Sequence, residues 1–324
     1  MMMSLKNYTI NQRSLTTYSP LVNELTFDAN KNYLFDLSCL SGLELHGDKA
    51  QEFLQGQLSC DVRGVNPHQF RQGALCNLKG RILAEVDVIS WFEQGLHLIV
   101  PMDLLEATQL TLSKTAPFSR VTLHQATDYQ LLGFYLQNPN DKTPFNIKLP
   151  NTDYAVSSED MCCAYHLGHG VYIFMVKNDH KANLIDEFVQ QAQWRGSLAW
   201  HALQLKHQRI EIYPESRGMF LPHRLDLHLK GYLSFDKGCY KGQEIIARTH
   251  YRAKLKHELR VFTIRTNELL QSGQRLLEAN GKTEIGELVD YCPIGDDAFL
   301  IAASIIFEPP ESIYIEGHQA LVVL

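Results

Sequence analysis

Lys237-Gly238-Cys239-Tyr240-Lys241-Gly242-Gln243-Glu244 packs one thiol, two lysines, two glycines and a carboxylate into eight residues. A buried strand does not tolerate that mixture, because glycine costs backbone entropy and ammonium groups need water or partners. The segment reads as a tight turn leading into a short helix that carries Glu244-Ile245-Ile246-Ala247-Arg248. A cysteine beside a helix N-terminus and flanked by lysines has its thiolate stabilised by unpaired amides and by positive charge. Cys239 is therefore a candidate reactive or ligand-binding thiol, with Lys237 as its cationic neighbour. The bland alternative is a small apolar residue packed at a turn-to-helix junction.

A basic stretch follows: Arg248, Arg252, Lys254, Lys256 and Arg260, with His250 and His257, against Glu258 alone. It suits phosphate, an oligoglutamate tail or RNA, and equally a solvated connection between helix and strand. Cys162, Cys163, His166 and His169 look like metal ligands, but neighbouring cysteines on one strand point to opposite faces, which favours core packing. Gly42 to Lys49 outlines a phosphate loop without its lysine and hydroxyl in place. No Gly-x-Gly-x-x-Gly, Gly-x-Ser-x-Gly or His-Glu-x-x-His occurs, so dehydrogenase, ordinary hydrolase and zinc-protease readings lack support. Trp200 is a flat platform on which a planar heterocycle could stack, or simply core.

The elements that must position these groups are mixed. The first ~30 residues are polar and predict helix at most, and Tyr33–Leu45 predicts extended chain. A helix follows Gly47-Asp48, with Asp48 and Gln51 at capping-box spacing and Phe53, Leu54 and Leu58 as its apolar face. Lys79-Gly80-Arg81 predicts a turn into a strand from Ile82 to Trp91, and Glu93-Gln94-Gly95 turns that strand back through Leu96–Val100. Helices are predicted at Met102–Leu112, His180–Gln193 and Ser197–His207, and strands at Tyr129–Leu136, 164–166 and 171–175. From Leu255 onward, short strands punctuated by glycine predict an antiparallel β-barrel. The class is α+β.

At 324 residues the chain exceeds one ordinary core. A net charge of −6 argues against a strongly basic nucleic-acid binder. The seven cysteines are odd in number and form no disulfide framework, which fits a reducing, cytoplasmic setting. No apolar run approaches the ~18 residues of a membrane span, so no membrane partner is expected.

The cysteine segment, continued by Ala247-Arg248, resembles the signature of the YgfZ family of folate-binding, tRNA-modification-related proteins. That family is related to the aminomethyltransferase (T-protein) of glycine cleavage and to mitochondrial proteins that help assemble iron–sulfur clusters. Gly47 to Leu58 with Asp61-Val62 resembles the family's N-terminal block, Asn77-x-Lys79-Gly80-Arg81 its second, and Phe220-Leu221-Pro222 the approach to the cysteine motif. The likeness runs through residues 33–305.

The resemblance implies a three-part, cloverleaf-like arrangement around a tetrahydrofolate site. Its parts are a discontinuous central domain (1–50 plus 118–250), an inserted domain (51–117) and a C-terminal β-barrel (251–324). It implies Cys239 and Lys237 as the chemically active pair, and Trp200, Tyr240, Gln243, Glu244, Arg248 and Arg252 as the cofactor-binding set; no metal site is assigned. A second folate-contacting tryptophan of the family falls near Leu40. Pro222-His223 stands where the family has Pro-Gln. The implied partners are folate, iron–sulfur proteins and tRNA-thiomethylating enzymes, with no direct sequence-specific nucleic-acid binding. Where aminomethyltransferases carry an Asp-Asp pair, the corresponding strand of this chain reads Ile82-Leu83-Ala84-Glu85-Val86-Asp87, so one carboxylate, a glutamate, falls at the pair. Misplacing a reacting group by about an ångström costs on the order of 100-fold in rate. Accessory work for iron–sulfur enzymes is thus favoured over an enzyme of folate-dependent aminomethyl or one-carbon transfer, which stays as the alternative.

Overall fold

A computed structural model describes residues 6–91 and 95–324. Three sheets form the frame. The first is built from Tyr33–Asp36, Tyr129–Tyr135, Val156–Glu159, Cys162–Gly168, Val171–Lys177 and Trp194–Arg195. Its strands pair antiparallel except the last, which runs parallel to Tyr33–Asp36. Both faces are covered, so strands such as Cys162–Gly168 and Val171–Lys177 are buried almost throughout rather than alternating. Helix Lys181–Gln190 lays Leu184 and Phe188 on the face of Leu34, Phe134 and Phe174. Helix Ser197–Lys206 covers the opposite face, where Phe35, Tyr165 and Ile173 meet Trp200 and Leu203. Cys162 and Cys163 fall into these two separate cores, as strand alternation requires.

The second sheet comprises Leu40–His46, Arg71–Cys76, Ile82–Ser90, Leu96–Pro101 and Thr122–Gln125, all antiparallel. Two of its five strands, Leu40–His46 and Thr122–Gln125, come from outside 51–117. In the strand Ile82–Ser90, Ile82, Ala84, Val86 and Val88 are buried on one face, as their alternation predicts. Of the turn that follows, Glu93 and Gln94 lie outside the described residues. Helix Met102–Ser113 packs on this sheet.

The C-terminal sheet is six-stranded and antiparallel, ordered His257–Arg265, Ala298–Ile306, Glu284–Pro293, Arg275–Glu278, Ser312–Ile315 and Val322–Val323. Its two end strands approach one another, so it curls into a half-barrel.

Three local expectations change. The N-terminal residues form a β-hairpin, Lys6–Ile10 with Arg13–Thr17, because Ile10, Leu15 and even Arg13 are buried against later parts of the chain. Helix Ala50–Gln55 has no Asp48–Gln51 capping box: Lys49 is its N-cap, without a side-chain bond, and the Gln51 amide donates instead to the carbonyls of Val62 and Val65. The half-barrel contains two strands that no alternating run marks, Arg275–Glu278 and Val322–Val323.

Helix Ser197–Lys206 is the keystone. Residues Ser197 to Leu205 are all buried, the pattern of a helix enclosed on every side. Leu198, Ala202 and Leu205 join the core shared by the second sheet and half-barrel, while Ala199, Trp200 and Leu203 join the core of the first sheet.

Candidate functional site

Two places carry the chemistry, and the fold keeps them apart. The first is a cavity where the sheets meet. One chamber, of about 100 Å³, is lined by Leu40, Glu85, Asp87, Ile99, Trp200, Gln204, Arg209 and Tyr232 among others. An adjoining chamber of about 310 Å³ shares Gln72, Glu85, Leu167, Arg209, Ile210 and Tyr232 with it and adds Asp153, Tyr154, His169, His207 and Lys230. Together they approach the size of small-molecule sites, roughly 300–1,000 Å³.

Trp200 forms one wall. Its ring meets Phe35 edge-to-face at 5.4 Å and lies over Gly133, where any Cβ would come within 2.4 Å of the indole. Packing and platform are the same fact here: the indole is only 4% exposed, and what it faces is the chamber. Leu40 lines the chamber too, at the place the resemblance gives to a second tryptophan.

Glu85 and Asp87 project from the opposite side of the strand to Ile82, Ala84, Val86 and Val88, and both reach the cavity. The resemblance implies one carboxylate at this place; the structure has two, because residues two apart on a strand share a face. Asp87 is built in: its carboxylate accepts from Gln72 Nε2 at 2.8 Å and from Tyr165 OH at 3.1 Å. Burial raises its pKa, against the hydrogen bond from Gln72. Arg209 braces the arrangement, donating to Gln72 Oε1 at 3.1 Å and to the Leu167 carbonyl. Glu85 is different. Burial pushes its carboxyl up to about 8, although Lys230 pulls the other way, so it is predominantly protonated at neutral pH. Glu85 Oε1 and Gln204 Nε2 have no hydrogen-bond partner in the described protein. Buried polar groups are rarely left unpaired except where a ligand, ion or water completes them.

The second place is the cysteine motif. Helix Gln243–Arg252 starts at Gly242, whose φ of 84° is left-handed and whose absent side chain matters: a Cβ would stand 2.4 Å from the Asn77 carbonyl oxygen. Across this contact Gly80, at φ 71°, faces Ile245, Ile246 and the Gly242 carbonyl. The backbone of 218–220 extends the same assembly, with Ile82 N donating to Phe220 O at 2.9 Å and Gly218 N to Ile82 O at 2.7 Å. Ser59 ties in the N-terminal block, its hydroxyl donating to Tyr232 O at 2.7 Å and its carbonyl accepting from Ser234 N at 2.9 Å. The separate sequence blocks thus form one packed shell.

Within that shell most motif side chains support structure. Lys237 was expected beside the thiol. Its ammonium instead turns inward and donates to the carbonyls of Leu58 and Cys60, each at 2.6 Å, with the Tyr240 ring 4.9 Å away. Burial lowers its pKa to about 8, partly offset by the nearby Cys60. Tyr240 is buried in the core, and Gln243 accepts from the Tyr240 amide at 3.3 Å. Glu244, Arg248 and Arg252 are exposed on the helix. None of Tyr240, Gln243, Glu244, Arg248 and Arg252 lines either chamber, so of the expected cofactor-binding set the cavity holds Trp200 alone. Cys239 is the exposed cysteine of the seven. Among the cavity residues not singled out from sequence are Gln72, Asp153, His207, Gln204, Arg209, Lys230 and Tyr232; for Asp87, the parity shared with Glu85 was a usable signal.

No protein-family model matches the chain. Curated relatives do. The chain is 31% identical over 226 residues to the tRNA-modifying protein YgfZ of Hamiltonella defensa subsp. Acyrthosiphon pisum (strain 5AT), covering 67% of this chain and 66% of that one. It is 30% identical over 236 residues to YgfZ of Klebsiella pneumoniae (strain 342), covering 72% of each. The chain thus matches about two thirds of the length of these relatives. Among solved structures, the glycine cleavage system aminomethyltransferase T from Bartonella henselae superposes with a TM-score of 0.72 over 98% of this chain and 92% of that one, at 15% identity. That likeness is one of fold.

Proposed function

The chain belongs to the YgfZ family of tRNA-modifying proteins, and from that premise we propose that it is a cytoplasmic, tetrahydrofolate-binding accessory protein that supports iron–sulfur enzymes of tRNA modification. The observation that carries this reading is the pair of unpartnered polar atoms, Glu85 Oε1 and Gln204 Nε2, facing a chamber walled by Trp200. A pterin presents adjacent donors and acceptors on a flat ring. A protonated carboxyl both donates and accepts, an amide supplies a further donor, and an indole covers the ring face. When bound, the folate would supply its reduced pterin and any one-carbon unit it carries. The chain's own residues bind and orient it: Trp200 by contact, Glu85 and Gln204 by hydrogen bonding, and Asp87 as the acceptor held in place by Gln72 and Tyr165.

Cys239 is the second half of the proposal. Its exposure suits a thiol that meets a partner protein or a cluster from outside, while Lys237 fixes the loop that presents it. The alternative, aminomethyl transfer, asks for a carboxylate ready to take a proton. Glu85, protonated at neutral pH, is poorly suited to that task.

Titration of purified protein with tetrahydrofolate tests the reading. Wild type is expected to bind, Trp200→Ala to lose at least about tenfold in affinity, corresponding to about 1.4 kcal/mol, and Cys239→Ala to bind like wild type while failing to restore thiomethylated tRNA in cells lacking the protein. Absence of binding at millimolar ligand sinks the folate half. Full restoration by Cys239→Ala sinks the thiol half. Formation of methylene-tetrahydrofolate from an aminomethyl donor, unaffected by loss of Cys239, would establish the transferase instead.

A further inference from the structure

We infer that the exposed stripe of helix Gln243–Arg252, with the chain that follows it to Lys256, is a nucleic-acid face: it takes a single-stranded stretch of RNA, with phosphates on Arg248, Arg252, Lys254 and Lys256 and one base on the ring of Tyr251. The inference goes beyond the folate and thiol readings and depends on neither, since this segment lines neither chamber.

Spacing along the helix comes first. Glu244, Arg248, Tyr251 and Arg252 recur at i, i+4, i+7 and i+8, so they share one face. All four are exposed, while Ile246 is buried on the other side. The helix stops at Ala253, whose backbone is extended, and Lys254 and Lys256 carry the same charge onward, both exposed. Among the described residues none of Arg248, Arg252, Lys254 and Lys256 is ion-paired, and the carboxylate of Glu258 is taken by Arg260 at 2.5 Å. Glu244 stands at the start of the stripe and Asp236 next to Phe235, both exposed. Four unpaired cations thus face outward against two carboxylates, in a chain whose net charge is −6. Positive charge gathered on one face of an acidic molecule draws a polyanion to that face.

An aromatic cluster is the second, independent observation. Tyr251 is 68% exposed. Its ring stands nearly perpendicular to that of His250 (4.9 Å, 83°) and edge-on to Phe235 (5.7 Å, 67°), and His250 is itself stacked on Phe235 at 3.9 Å and 18°. The tyrosine is braced from one side and open to solvent on the other. An exposed tyrosine alone is ordinary. One held in place among unpaired cations is what a base–aromatic stack needs, and such stacking tolerates any sequence because every base has a π-face.

Charge alone would suit an acidic protein as well; the braced ring among the cations favours a polyanion that carries flat bases. In an RNA duplex the bases are stacked on one another, so a loop or single strand fits the ring and a duplex does not. The chain's family is one of tRNA-modifying proteins, which makes RNA the nucleic acid to test.

Fluorescence titration of the full chain with a labelled single-stranded RNA oligonucleotide, and with an RNA duplex of equal charge, at about 50 and about 200 mM potassium chloride tests this. The single strand is expected to bind at the lower salt. Its affinity should fall on the order of 50-fold at the higher, as four phosphate contacts at a slope of about −0.7 each require. The double variant Arg248→Gln, Arg252→Gln should flatten that slope by about 1.4. Tyr251→Ala should cost at least about fivefold at either salt and leave the slope unchanged. Both variants should unfold at the wild-type temperature, because the altered side chains are exposed. No binding of the strand at the lower salt, tighter binding of the duplex, or affinity that the variants leave intact overturns the inference. Poly-glutamate that displaces the strand as well as unlabelled RNA does overturns it in favour of an acidic protein partner. Tetrahydrofolate titration of the same samples reads the folate proposal separately, and either can fail without the other.

Discussion

In the cavity, polar side chains from distant strands and helix ends face one another across open space, and two of their atoms are left without partners. In the cysteine motif, three of the eight residues serve the fold: Lys237 clamps two carbonyls, Gly242 admits the Asn77 carbonyl, and Tyr240 fills core. A dense run of chemically suggestive residues is therefore mostly architecture that presents one thiol. The proposed ligand site sits where no compact motif marks it.

The largest expected effect that separates the two regions is Gly242→Ala. The new methyl group meets the Asn77 oxygen at 2.4 Å in a left-handed backbone, which should cost about 3 kcal/mol or more. Thermal unfolding measures the loss, and tetrahydrofolate affinity below the lowered Tm should match wild type. A variant that is stable but fails to bind would erase the distinction between the regions.

Glu85→Gln probes the cavity side. Free glutamate ionises near 4.5, whereas in the fold its proton is held to about 8. The unfolded chain thus gives up that proton first, and native stability falls as pH rises through this window. Glutamine removes that fall, so relative to wild type the variant should gain on the order of 3 kcal/mol between pH 4.5 and 8, read from urea midpoints. Identical pH dependence in the two proteins would mean that the carboxyl is already ionised.

His223→Gln probes the shell side with opposite sign. Both His223 ring nitrogens are buried without partners, and the ring is held neutral down to about 4, by burial first and by His228 and His250 next. The unfolded chain takes up the proton near 6.5, so stability is lost as pH falls from there to about 4. Glutamine should flatten this acid limb by about 1–2 kcal/mol. The limb will not vanish, because burial holds His97 near 4 as well. Smallest of all on stability is Cys239→Ser, within about 0.5 kcal/mol in urea unfolding, since an exposed thiol packs against little.

Regular periodicity made most strands and helices legible. Ile82 to Val88 alternate because one face meets the core, and Ser197 to Leu205 read as helix despite being buried on all sides. What escaped were elements held by distant partners. The residues Lys6 to Thr17 look like a polar tail, yet Arg13 is 4% exposed, bonded to Asp103 and the Ile212 carbonyl and laid over the Tyr213 ring. Lys237 reads as a solvated loop cation because its partners lie 179 and 177 residues away. For the same reason Arg209 and Lys230 carry no local signal of the chamber they line, whereas Trp200 and Glu85 are visible through resemblance; Asp87 was not expected, although it shares Glu85's parity.

The early hairpin also fixes an order of events during synthesis. Asn11 donates through its amide N–H to Tyr291 OH at 2.9 Å, and its side chain exchanges two 2.9 Å bonds with Ser272. The 280 residues between Asn11 and Tyr291 take tens of seconds to emerge at roughly 5–20 residues per second. Until then the hairpin tip at Asn11 lacks its half-barrel partners, although Arg13 can already reach Asp103 and the Ile212 carbonyl. A nascent chain stalled before residue 272 should leave that tip more open to protease than the finished chain does.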